Sequence, residues 1–376
     1  MKRIDKKIAL SLYQDADLLG LGATADNVRK KLHPKGTVTF IIDRNINYTN
    51  VCINRCTFCA FWRDEKDPAA YVLSRRKLFS KIKETIALGG TQILIQGGLH
   101  PELDIDYYVD LLKTVKKKFP VHVHGFSPPE ICYVADKAGL SVKKTLKVLN
   151  EAGLDSIPGG GAEILSDRIR EKISPKKIGK DRWLEVMEEA HRAGMKTTAT
   201  MMFGSVEGPE DIIEHLEAIR KLQDKTHGFT AFIPWSFQPG NTELGVKSEE
   251  LRVKSSKKAN PQSPSIATPK SQLQTPDSKL HPATAVDYLR VLALSRIYLD
   301  NVPNIQASWV TQGIKTAQVA LRFGANDFGS TMIEENVVAA AGVKYKVSIR
   351  DIINAIKAAG FNPAQRDMYY NIIGSF

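Results

Sequence analysis

From residue 38 onwards the chain alternates short apolar runs with longer stretches in which apolar residues recur at helical spacing. The run Val38-Thr39-Phe40-Ile41-Ile42 reads as a strand, and further short strands are expected at 92–96, 121–126, 154–157, 197–202, 229–235 and 305–309. Between them the 3.6-residue period predicts helices over 77–88, 105–119, 142–152, 182–193, 211–222 and 285–299. Repeated strand–helix units of this length place the chain in the α/β class, with a parallel sheet and helical crossovers. A (β/α) barrel, partial or complete, accommodates that many units in one body and carries its reactive groups at the strand C-terminal ends. Gly97-Gly98, Gly159-Gly160-Gly161 and Gly204 fall at such ends. A missing Cβ there lets a ligand come close to the backbone.

The pattern divides the chain into four parts. Residues 1–37 form an N-terminal helical segment, 38–253 the barrel core, and 283–376 a C-terminal extension that completes the barrel and contributes to substrate binding. The stretch 254–282, rich in proline, serine and lysine, is expected to be a flexible low-complexity insertion, because it has too little apolar surface to offset its ordering entropy.

Composition adjusts this picture only slightly. With 376 residues, 43% hydrophobic and 25% charged, the chain can bury a sizeable core. The formal charge of +12 raises the question of nucleic acid. Yet the basic clusters Lys116-Lys117-Lys118, Lys176-Lys177 and Lys257-Lys258 are dispersed and lack interleaved aromatics, so anionic small molecules are the expected partners and nucleic acid is not. No apolar run reaches the roughly 20 residues a membrane span needs. Lys2, Arg3, Lys6 and Lys7 precede an apolar stretch, but Gln14, Asp15 and Asp17 interrupt it, so an amphipathic helix of a cytoplasmic protein is expected.

The chemistry lies in the cysteines. Three of the four, Cys52, Cys56 and Cys59, fall within eight residues just after a strand, a poor layout for disulfides and a good one for metal. The C-x₃-C-x₂-C spacing lets a loop bring three sulfurs together. Ordinary iron–sulfur clusters use four thiolates. Three leave one iron of a 4Fe–4S cluster without a protein ligand, open to chelation by the amino and carboxylate groups of S-adenosylmethionine. Zinc is the structural alternative, but a closed zinc site wants a fourth ligand, and the next histidine is His100 while Cys132 stands alone. A plain iron–sulfur electron carrier is the other alternative, and it supplies no reason for three ligands instead of four. Cys132 is expected to be a small buried hydrophobe.

Around this motif the sequence resembles the radical SAM superfamily. The stretches Asp43–Cys52 and Cys59–Arg63 narrow the resemblance to the branch that serves menaquinone synthesis by the futalosine route and deazaflavin synthesis. So do Gly89–Gln92, Gln96–Leu99, Phe126–Glu130, Asp155–Pro158, Gly161–Glu163, Ala199–Gly204, Phe232–Trp235, Gln306–Gly313 and Phe323–Gly329. The blocks at 307–309 and 324–328 lean towards the ring-closing member over its aminofutalosine-forming sister, and a deazaflavin-forming enzyme is the other alternative. The resemblance implies a radical SAM (β/α) barrel, a 4Fe–4S cluster, S-adenosylmethionine, and an external one-electron reductant such as flavodoxin or ferredoxin. It also implies a nucleoside-like substrate that loses its ribose C4′ hydrogen and closes onto a benzoate ring.

By motif position, Phe58 is expected against the adenine of S-adenosylmethionine, with ordinary packing as the alternative. The Gly97-Gly98 turn is expected at its amino group. Glu163, just past the glycine triplet, is a candidate hydrogen-bond partner of the cofactor, or else a carboxylate at a helix N-terminus. His122 and His124 alternate with Val121 and Val123 and so share one strand face. If it faces the barrel interior, they are candidates to bind substrate or accept a proton; otherwise they are satisfied core histidines. Arg322, Asn326, Asp327, Glu334 and Glu335 are read as a polar C-terminal cluster, or as surface helix charges.

Overall fold

The computed structural model describes residues 3–256 and 280–376, so most of the expected insertion at 254–282 lies outside the described residues. Eleven strands appear in the described chain: β1 Thr37–Ile41, β2 Asn45–Asn47, β3 Gln92–Gln96, β4 His122–Gly125, β5 Ser156–Ile157, β6 Lys196–Phe203, β7 Phe229–Ser236, β8 Asn304–Ile305, β9 Asp327–Ser330, β10 Asn362–Arg366 and β11 Ile372–Ser375. Strands β2 to β8 form a seven-stranded parallel sheet in sequential order. A second sheet runs β11-β10-β1-β9, antiparallel only between β10 and β11.

The two sheets meet twice. β1 and β2 are successive halves of one extended segment, and a parallel bridge between Gln306 and Asp327 links β8 to β9. The strands therefore run round a circuit, with helices on the outside, and a barrel results. Each crossover carries a helix, as parallel neighbours require. The helices at Arg75–Ala87, Ile105–Lys118, Val142–Ala152, Lys180–Arg192, Pro209–Thr226 and Ala285–Tyr298 answer the expected periodicities. Their starts are fixed chemically: Ser74, Asp104 and Ser141 accept N–H bonds from the residue three further on, and Thr284 and Asp287 form a capping box. The expected strand at 305–309 is cut short, because Trp309 opens the helix Trp309–Ala320.

The side-chain alternation along the strands decides what the barrel can hold. In β3, Ile93 and Ile95 are fully buried under the helices, while Gln92, Leu94 and Gln96 point to the interior. In β4 the outward residue is Val123 and the inward one His124. In β6, Ala199 and Met201 face out and Thr198 and Thr200 face in. The outer set makes the hydrophobic core and the inner set lines a cavity of about 270 Å³.

The N-terminal helices Lys6–Asp15 and Leu18–Leu32 pack on Pro209–Thr226 and Ala285–Tyr298, burying Ala9, Tyr13, Leu21 and Ala25. At the other end of the chain, β10 delivers Arg366, Met368 and Tyr370 into the barrel interior. No helix among the described residues is long and apolar enough to cross a membrane.

Candidate active site

The cysteine loop leaves the C-terminal end of β2 and is tied at every turn. Cys52 donates its N–H to Arg63 O at 3.2 Å, Ile53 to Leu99 O at 3.1 Å, and Thr57 to Ile173 O at 3.0 Å. Arg55 takes a left-handed φ of 47°, which turns the chain between the first two cysteines. Gly98 is required here: a Cβ would stand 2.2 Å from Val51 O and 2.8 Å from Cys52 Cβ. Gly97 likewise presses on the Tyr48 ring. Both N–H groups of this turn are already used, Gly97 on Glu130 at 3.0 Å and Gly98 on Thr49 O at 3.1 Å, so the turn keeps only carbonyls for a ligand's amino group.

Glu130 is the bolt beneath that turn. Fully enclosed, it accepts from Tyr48 Oη at 2.9 Å and Gly97 N on one oxygen, and from Ser127 N and Oγ at 2.7 and 2.6 Å on the other. Burial pushes its carboxyl up to about 7, against the pull of those donors.

All four cysteines are free thiols, with Cys56 and Cys132 buried. Burial drives the Cys56 thiol up to about 12. The Lys177 ammonium opposes that rise, and the charges of Glu163, Cys52 and Cys59 add to it. Cys59 is raised by burial too, although the backbone N–H groups of Phe61 and Trp62 bond to its sulfur. The three thiols thus feel one another's charge, with one ammonium nearby. Among the described residues no three His, Cys, Asp or Glu side chains meet closely enough to hold a single ion. A cluster is gripped through separate irons, so its thiolates need not converge on one point. Three soft thiolate donors, backbone N–H bonds to a sulfur and a cation close by fit an iron–sulfur centre. Cys132 has no part in it and packs in the core.

Between this loop and the cavity stand Glu163 and Lys177. Lys177 Nζ lies 3.0 Å from Glu163 Oε1 and 5.1 Å from the centroid of the Phe58 ring. Phe58 is partly buried, packed on the core under that ammonium. Arg170 approaches the other Glu163 oxygen only to 3.7 Å, because its guanidinium donates to carbonyls of Gly161, Ala162 and Ile178. Oε2 of Glu163 is buried without a partner. Glu163 lines the cavity, with a φ of 39° that aims it there.

The two histidines do share a face: both bond the Ser156 hydroxyl, His122 through Nε2 at 2.6 Å and His124 through Nδ1 at 2.7 Å. They part company in role. His124 is buried and lines the cavity, held neutral by burial and by the neighbouring His122 and Arg366. His122 stands outside the lining, edge-on to the Tyr369 ring at 5.4 Å. Ser156 has one proton to give, so at least one imidazole must donate to it.

The expected C-terminal polar cluster does not form. Arg322 lies outside against Phe361 and donates to Ala359 O. Asn326 bonds Arg296, Asp327 bonds Arg366, and Glu334 pairs with Lys81. Only Glu335 reaches the cavity, with its carboxylate accepting N–H bonds from Val337, Val338 and Ala339. Residues close in sequence point in different directions here because a strand end, a turn and a short helix follow in succession.

Several lining residues were not singled out from the sequence: Asn45, Gln92, Thr198 and Thr200 on the polar side, Trp235 and Trp309 on the apolar side. Lys177 was read only as part of a surface basic pair. The signal for the first group was present, as polar residues at every second position of strands whose other face is apolar.

Comparison with known proteins identifies the family. Residues 46–219 match the radical SAM superfamily and residues 269–374 match the CofH/MqnC C-terminal region. The chain is 43% identical over 376 residues to a cyclic dehypoxanthine futalosine synthase of Halalkalibacterium halodurans, covering 100% of this chain and 93% of the relative. It is 41% identical to the enzyme of the same name from Streptomyces coelicolor, over 98% and 85%. It is also 39% identical to a 5-amino-6-(D-ribitylamino)uracil–L-tyrosine 4-hydroxyphenyl transferase of Methanocaldococcus jannaschii, over 99% and 98%. Among solved structures, methylornithine synthase shares the fold with a TM-score of 0.69 at 17% identity, over 96% of this chain and 94% of that one.

Proposed function

The chain belongs to the radical SAM superfamily, in the group that carries a CofH/MqnC C-terminal region, and from that premise we propose that it closes dehypoxanthine futalosine to its cyclic form in menaquinone synthesis. Enzymes of this superfamily use a 4Fe–4S cluster and S-adenosylmethionine. In the proposed arrangement Cys52, Cys56 and Cys59 hold the cluster, and the carbonyls of Gly97-Gly98, the Phe58 ring and Glu163 receive S-adenosylmethionine. When bound, the pair supplies a 5′-deoxyadenosyl radical able to remove a hydrogen atom from a sugar carbon.

The single observation that carries this reading is the 43% identity along the whole chain to a cyclic dehypoxanthine futalosine synthase. The cavity supports it. Trp235, Ile233, Ala307 and Trp309 offer an apolar wall for an aromatic ring, and Asn45, Gln92, Thr198 and Thr200 offer hydrogen bonds to a sugar. Holding the sugar carbon against the ring is the protein's main contribution, because ring closure is limited by orientation. His124 is the group that takes the proton when the ring regains aromaticity. With Nδ1 donating to the Ser156 hydroxyl, Nε2 is the acceptor left on the neutral imidazole.

A second reading has an observation of its own, the 39–41% identity to the archaeal hydroxyphenyl transferases. One assay separates the two. Protein reconstituted without oxygen is given S-adenosylmethionine and dithionite with either dehypoxanthine futalosine or tyrosine plus 5-amino-6-(D-ribitylamino)uracil. The cyclase reading expects 5′-deoxyadenosine and a product two hydrogens lighter than dehypoxanthine futalosine, one lost as an atom and one as a proton with an electron. Turnover of the tyrosine pair alone would replace it with the transferase reading.

A further inference from the structure

We propose that Gln92, with Asn45 beside it on the adjoining strand, forms a hydroxyl-recognising subsite that takes the sugar diol of the substrate. The assignment rests on the function proposed above. Twelve buried side-chain oxygen or nitrogen atoms among the described residues lack a hydrogen-bond partner. Four of them, on Asn45, Gln92, Glu163 and Tyr370, belong to side chains lining this cavity. Buried polar atoms are nearly always partnered, so such a gathering marks groups whose partners come with the ligand.

Gln92 is the most constrained of the four. Its Nε2 donates to Asp43 Oδ2 at 2.8 Å, and Oδ1 of the same carboxyl bonds the Ser330 hydroxyl. With Asp43 ionised, both of its oxygens accept, the one facing Gln92 included. The amide therefore cannot turn over, and Oε1, the unpartnered atom, is fixed as an acceptor. An acceptor held in place selects a donor. Asn45 pairs with Leu94 in the β2–β3 ladder, which makes it the diagonal neighbour of Gln92 on the inner face. Its Oδ1 is unpartnered as well. Two adjacent amide acceptors facing an enclosed space match two neighbouring O–H donors, which is what a ribose presents. Thr198 and Thr200 across the barrel are each partly engaged by Gly159, Thr198 accepting its N–H and Thr200 donating to its carbonyl.

The test is equilibrium binding of dehypoxanthine futalosine and its 2′-deoxy and 3′-deoxy analogues to the cluster-loaded protein, by calorimetry without reductant. Wild type is expected to bind at least one deoxy analogue roughly tenfold or more weakly than the parent. In Gln92→Leu the parent weakens and that penalty shrinks towards parity, because the group that read the hydroxyl is gone. Gln92→Met, unbranched and of similar length, carries the same comparison if the leucine variant does not fold. The subsite falls, and the function reading stands, if wild type binds all three compounds alike, or if the penalty survives both substitutions. A wild-type protein that binds none of them overturns the function reading and the subsite with it.

Discussion

The barrel interior holds two buried carboxylate–cation pairs, and they differ in one respect. At the tail end, Asp327 accepts from Arg366 Nε and Nη2 at 2.5 and 3.0 Å, from the Thr39 hydroxyl at 2.5 Å and from Gly329 N at 2.9 Å. Every lone pair that matters is used. At the cysteine end, Glu163 has Lys177 on one oxygen at 3.0 Å and nothing within hydrogen-bond reach on the other. Both cations have pKa values raised; in each case burial works against the charge and the facing anions outweigh it. The first pair is a finished structural clamp that fixes the C-terminal tail in the barrel. The second is left incomplete, and the gap faces a cavity. Completeness of hydrogen bonding, more than the presence of charge, separates the clamp from the site.

Substitutions can break that contrast, beginning with the largest effect. Cys56→Ala removes one cluster ligand, and no 5′-deoxyadenosine is expected from the reconstituted variant by chromatography, while Cys132→Ala retains its formation. Asp327→Ala leaves the Arg366 guanidinium buried without an anion. Such a loss costs about 3–5 kcal/mol, to be read as a lower midpoint in urea unfolding. Glu163→Gln should behave differently, because Lys177 keeps an acceptor and sits near Cys56. Unfolding is expected to shift by about 1 kcal/mol or less, while S-adenosylmethionine affinity, measured by calorimetry, drops roughly tenfold or more. Equal stability losses at Asp327 and Glu163 would erase the distinction.

A separate effect concerns pH. Glu130 titrates near 7 in the folded chain, above its unfolded value. The folded state therefore holds a proton that the unfolded state has released, and its contribution is full at low pH. It is lost as pH rises from about 4.5 through 7, at a limiting slope of about 1.4 kcal/mol per pH unit. Urea midpoints across that range should show this component in wild type and lack it in Glu130→Gln.

Much of this architecture was legible from the chain. Strands such as Gln92–Gln96 and helices such as Val142–Ala152 carry their own apolar period, so local sequence predicts them. β2, β9, β10 and β11 went unpredicted for a physical reason: they are short, polar or terminal, and exist because a neighbour supplies the ladder. The thiol trio was visible because its spacing is local. Lys177 was not, since a lysine after Ser174-Pro175-Lys176 reads as solvated until the fold sets it against Glu163. Asp327 and Arg366 are joined only by the β9-β1-β10 arrangement, and no spacing in the sequence announces that. The grouping of Arg322 with Glu334 failed because proximity along the chain says nothing of facing.

The account turns on three thiolates leaving an iron free for S-adenosylmethionine. Electron paramagnetic resonance of the oxygen-free, reconstituted and reduced protein tests this directly, alongside iron, sulfide and zinc analysis. The expected result is iron and sulfide in the proportions of a 4Fe–4S cluster, with a signal that changes when S-adenosylmethionine is added. Zinc in place of iron, or a cluster signal indifferent to S-adenosylmethionine, would contradict it.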